Sequence, residues 1–84
     1  MNYYILKFQI IIDEHIQPDI AFVGVVSEAE DCRPNQAKDR IMEDVKRKNP
    51  SSKVVAVLNG EPEKVSAEQY RSIKDKIIEI TGPN

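Results

Sequence analysis

The sequence predicts an α+β domain: a two-layer ββαβα sandwich with a three-stranded mixed sheet and both helices on one face. Three observations lead there. Tyr3 to Ile12 is dense in β-branched and aromatic residues and holds neither glycine nor proline, which marks a strand. Between Pro34 and Asn49-Pro50, the residues Ala37, Ile41, Met42 and Val45 recur at helical spacing. Near the other end, Ser66 and Gln69 make a capping box ahead of a second apolar stripe.

In the first strand the even positions Tyr4, Leu6, Phe8, Ile10 and Ile12 are uniformly apolar, so they are expected to face the core. The polar segment Asp13 to Asp19, with Pro18, ends that strand as a connecting loop. Ile20 to Val26 reads as the second strand, in which Gly24 marks a bulge or a close backbone approach. From Ser27 to Arg33 a weak capping box competes with Pro34, and a loop or single turn is expected. The first helix starts at Pro34 or Asn35 and stops at Asn49-Pro50. Lys53 to Leu58 is the third strand, closed by the turn dipeptide Asn59-Gly60. The last helix is expected to run from the Ser66 cap to an exit at Gly82-Pro83. Val65 and Tyr70 staple its start, and its stripe is Tyr70, Ile73, Ile77, Ile78 and Ile80.

Strand, helix, strand within one sheet makes a crossover, so strands two and three should be parallel. The first strand, longest and most apolar, belongs between them in the order 2-1-3, antiparallel to both.

Eighty-four residues are read as a single domain, 1–84. A chain of this length buries roughly 60–65% of its unfolded surface, which leaves little room for an enclosed substrate cavity. The lone Cys32 cannot form an internal disulfide, and the apolar stretch near the N-terminus lacks a basic leader and is broken by Lys7 and Gln9. A cytoplasmic protein is therefore expected, with no signal peptide or membrane helix. The formal net charge of −2 supplies no long-range attraction to nucleic acid.

The chemistry-bearing residue types form no catalytic or metal-binding motif, so no enzyme activity, cofactor or metal is expected. Asp13, Glu14, His15 and Asp19 include ligand types, but their spacing matches no closed metal site. Cys32 beside Arg33 is opposed as a nucleophile by Glu30 and Asp31, and the single His15 falls at the opposite pole of the fold. Both helix N-termini are crowded by acidic residues, which disfavours phosphate. The run Lys46-Arg47-Lys48 sits where a helix C-terminus favours cations, with Glu43–Arg47 and Asp44–Lys48 expected as i,i+4 pairs.

What remains is the sheet face that helices on one side cannot cover. It should display Tyr3, Ile5, Lys7, Gln9 and Ile11, flanked by Val55 and Val57, and it is too apolar for ordinary exposure. A non-enzymatic interaction or accessory module is expected, with this face joining two copies in a homodimer or holding another protein. The alternative is a small nucleic-acid-binding protein that stacks bases on Tyr3 and Phe22 and uses Lys7, Lys46, Arg47 and Lys48. A third arrangement sends one helix to the second face and buries it as core.

Overall fold

β1 (Asn2–Ile12) and β2 (His15–Ser27) form a long antiparallel hairpin in the computed structural model, which describes residues 1–80. Only Asp13 and Glu14 separate the strands, both in the left-handed region at φ 48° and 70°. A two-residue turn of this kind matches the right-handed twist of a hairpin. Its usual Asn-Gly or Asp-Gly signature is missing, which is why the segment reads as a loop in the sequence. Tertiary hydrogen bonds hold it instead: Asp13 N–H donates to the Lys53 carbonyl and Asp13 Oδ1 accepts from Lys53 N–H, each at 2.9 Å. The bond from the Lys53 amide, followed by one from Ser52, keeps the Asp13 carboxyl below the usual carboxylate range. Pro18 is accommodated in a bulge. Gln9 pairs with Ile20 but Ile11 with Ile16, so Gln17, Pro18 and Asp19 stand opposite Ile10 alone.

α1 (Pro34–Lys48) begins at the expected proline and ends at Asn49, whose N–H bonds back to the Val45 and Lys46 carbonyls. Ala37 and Ile41 are buried with the even residues Tyr4, Leu6, Phe8 and Ile10 of β1 and with Val23, Val25, Val54 and Ala56. This is the main core. Glu43 pairs with Arg47 at 3.4 Å as expected, whereas Asp44 meets Arg40 and Arg47, each at 3.5 Å, where Lys48 was expected.

β3 (Val54–Leu58) and β4 (Glu63–Val65) both run antiparallel to β1 along the same edge. They are one strand interrupted at Asn59-Gly60-Glu61-Pro62, where Gly60 takes φ 78°. α2 (Ala67–Ile73) follows, then a 3-10 turn over Lys74–Lys76, and β5 (Ile78–Ile80) runs parallel to β2 at the far edge. The sheet therefore has five strands in the order β3-β1-β2-β5, with β4 beside β1. The expected 2-1-3 order survives inside it, but three strands was an undercount. β4 is only three residues long and carries Glu63 and Lys64, so it shows no strand pattern.

The last helix is also shorter than its stripe implies, ending at Ile73 rather than Ile80. Ile77, Ile78 and Ile80 satisfy a helical period, yet the alternation Ile78-Glu79-Ile80 equally fits a strand edge. Pairing with Val23 to Val25 makes that second choice, with Ile80 buried in the main core. The exit expected at Gly82-Pro83 lies outside the described residues. The helix start is as expected: Gln69 N–H donates to Ser66 Oγ and Ser66 N–H to Gln69 Oε1, each at 3.1 Å. With only seven residues in the helix, the cap satisfies a large share of its free amides. Ser66→Ala is expected to lower the stability by about 0.5–2 kcal/mol in denaturant titration, with an unchanged slope.

The two helices do not share a face. α2 sets Tyr70 against Tyr3, with ring centroids 5.1 Å apart, and beside Gly24, which pairs with Ile5. Tyr3, Ile5 and Gly24 belong to the side opposite Leu6 and Val23, because successive residues of a strand alternate faces. The molecule is thus α1, sheet, α2 in three layers. Gly24 is a point of close approach, not a bulge. A Cβ there would lie 2.5 Å from Tyr70 Oη and 2.8 Å from Cε2, and would also collide with Ile77 Cδ1.

Candidate interaction surface

α2 is too short to cover the second face. It shelters the end holding Tyr3, which is half-buried, and Ile5, which is 5% exposed. Beyond Ile5 the face is open. Lys7 stands opposite Phe22, Gln9 lies between Ile20 and Val57, and Ile11 between Ile16 and Val55. Phe22, Val57 and Ile16 are 37, 46 and 63% exposed, Lys7 is exposed, and Gln9, Ile11, Ile20 and Val55 are half-buried. Of the seven residues expected to form an interface, Lys7, Gln9, Ile11, Val55 and Val57 share this open half. Tyr3 and Ile5 instead lie under α2. Ile16 and Ile20 extend the patch along β2. Sequence reasoning missed Ile16 because Asp13 to Asp19 reads as a loop, although His15-Ile16-Gln17 already alternates polar and apolar.

The basic residues do not gather with this patch. Lys7 points out from the second face, whereas Lys46, Arg47 and Lys48 end α1 in the layer on the first face. Arg47 is engaged by Glu43 and Asp44, and Lys46 Nζ donates to the Ser52 carbonyl. The four cations of the nucleic-acid alternative therefore lie on opposite sides of the sheet.

Other chemistry-bearing residues are scattered. His15 sits beside the hairpin turn, and Cys32, half-exposed, precedes α1 at the other end of the sheet. Among the described residues no group of three or more His, Cys, Asp and Glu side chains is placed to hold a metal ion. Two open depressions flank α1. One is lined by Gln36, Arg40 and Glu79 and the other by Met42, Lys46 and Val54, with Asp39 and Glu43 bordering both. Tyr70 Oη donates to Glu79 Oε2 at 2.7 Å, tying α2 to β5. Desolvation, then the Glu79 carboxylate, pushes the Tyr70 hydroxyl well above its ordinary pKa, so it stays protonated as a donor. Arg33 caps α1 only by backbone, at φ 46°, and its buried Nε and Nη1 have no hydrogen-bond partner among the described residues. No helix of the described residues is long and apolar enough to cross a membrane.

Comparison of the chain with protein-family models, curated proteins and solved structures finds no match.

Proposed function

We propose that this protein is a non-enzymatic interaction module that associates with a second copy of itself through the open half of its second sheet face. The observation that carries this reading is the contiguity of Phe22, Val57, Ile16, Ile11, Ile20 and Val55 on a surface that α2 leaves uncovered. Single exposed apolar residues are ordinary, but a contiguous patch with charge at its margin is what protein interfaces offer. Symmetric pairing of identical chains is the commonest way to cover one.

Light scattering at micromolar concentration is expected to give twice the chain mass of 9.6 kDa. Val57→Glu should return the mass to that of one chain, because an unpaired carboxylate in a dry contact costs several kcal/mol. Val57 is nearly half exposed in the isolated chain, so the monomer's own stability should move by less than about 0.5 kcal/mol. A single-chain mass for the unmodified protein at all accessible concentrations would overturn this reading.

A further inference from the structure

The edges of the sheet differ in how they resist pairing with another strand. The exposed stretch of β2 carries Pro18 and Asp19 in a bulge, β4 carries Glu63 and Lys64 directly after Pro62, and β5 is three residues long with Glu79 at its centre. Proline, bulges, charges and shortness are the usual obstacles to edge pairing. β3, Val-Val-Ala-Val-Leu, has none of them, and its register with β1 is unbroken over all five residues. It is the outermost strand of the sheet order on its side.

The hydrogen bonds already made fix which backbone groups face outward. Asn59 N–H donates to the Lys7 carbonyl and Asp13 N–H to the Lys53 carbonyl, and both pairs belong to the register that links Gln9 to Val57 and Ile11 to Val55. Antiparallel ladders alternate hydrogen-bonded and non-hydrogen-bonded pairs. Lys53, Val55 and Val57 therefore turn their amides toward β1, and Val54, Ala56 and Leu58 turn theirs away from the sheet. Backbone groups of this kind are complementary to another strand.

We infer that β3 pairs antiparallel with β3 of a second copy about a two-fold axis at Ala56, joining the two sheets into one. This inference rests on the self-association proposed above and places the contact at the β3 margin of the open face, where Val55 and Val57 lie, not across the face itself. Ala56 faces its own counterpart in a hydrogen-bonded pair, and Val54 faces Leu58 of the other chain. Val55 then stands opposite the other chain's Val57 in a non-hydrogen-bonded pair, so the open faces of the two copies become continuous. Charge agrees with this direction. Next to the strand in sequence stand Lys53 on one side, with the Asp13 carboxylate bonded to its amide, and Glu61 on the other, and antiparallel pairing brings the Lys53 end of each chain to the Glu61 end of its mate. Parallel pairing would set lysine beside lysine and one Asp13 carboxylate beside the other.

Disulfide trapping reads this register directly. In a Cys32→Ser background, Val55→Cys and Val57→Cys are made as separate variants, and Phe22→Cys as a third. Opposed residues of a non-hydrogen-bonded pair have Cα atoms about 4.5 Å apart, within disulfide reach. Mild oxidation of the Val55→Cys and Val57→Cys chains mixed in equal amounts should convert about half of the chains to covalent heterodimer, and each variant alone should give little. Phe22→Cys should not cross-link, because five strand spacings of about 4.8 Å separate the two copies of that position. Efficient cross-linking of Phe22→Cys without the mixed product would mean that the faces stack, overturning the edge pairing while leaving self-association intact. A light-scattering dimer in which none of the three cross-links would overturn it equally. A single-chain mass for the unmodified protein would remove both the pairing and the reading on which it rests.

Discussion

Ile5→Glu is expected to unfold most of the protein at 25 °C, whether or not the chain is dimeric. Ile5 is 5% exposed beneath α2, beside Gly24 and across from Glu63 in β4. A carboxylate there would be stripped of water with no basic partner opposite, at a cost of several kcal/mol. A domain of this size has only about 5–15 kcal/mol in total. Circular dichroism in a denaturant titration should show a collapsed or absent transition, while Val57→Glu on the same face retains a normal one. The contrast separates the covered half of that face from the open half. An Ile5→Glu chain with an unchanged midpoint would mean that α2 does not pack there.

Tyr70→Ala is expected to cost about 3–5 kcal/mol, the range for removing a buried aromatic ring. Tyr70 is 2% exposed, makes the tilted ring contact with Tyr3 and supplies the hydroxyl that binds Glu79. Tyr70→Phe removes only the hydroxyl and should cost about 1.5–3 kcal/mol, as for a hydrogen bond to a charged group. Gly24→Ala tests the same packing from the sheet side. Overpacking against the tyrosine ring and Ile77 should cost about 1–3 kcal/mol in the native background and less once Tyr70 is alanine, the contact with Ile77 remaining. Strict additivity of the two changes would contradict the close approach of α2 to Gly24.

The parts of the fold legible in the sequence are those whose signals are local and unopposed. Pro34 and Asn49-Pro50 bound α1 because proline restricts its own and its neighbour's backbone whatever lies around it. Ser66 and Gln69 announce the start of α2 because a capping box closes within four residues. The alternation of β1 names the first core face, and Tyr4, Leu6, Phe8 and Ile10 are all buried in it. The reverse turn at Asp13-Glu14 is not legible, since Glu14 adopts a left-handed backbone that only the strand pairing and the contacts of Asp13 with Lys53 sustain. Five of the seven residues expected at an interface, Lys7, Gln9, Ile11, Val55 and Val57, share the open half of the second face. Tyr3 and Ile5 instead lie under α2, because nothing in β1 says which side a helix roughly seventy residues along will take.

By itself the sequence determined the α+β class, the central place of β1, the limits of α1, the beginning of α2 and the face that becomes the main core. Each depends on a pattern only a few residues long: a two-residue period, a proline, a cap. Tertiary structure alone decided that Ile78 to Ile80 close the sheet as β5 rather than finish a helix, and that α2 crosses to the second face. The isoleucines of that last segment satisfy both periods, so the choice falls to what they can bury against: Val23 and Val25 offer a strand edge, and Gly24 leaves the space into which Tyr70 fits. Those partners lie some fifty residues away in sequence. The energy that selects between a helix and a strand there comes from contacts that exist only once β2 is in place.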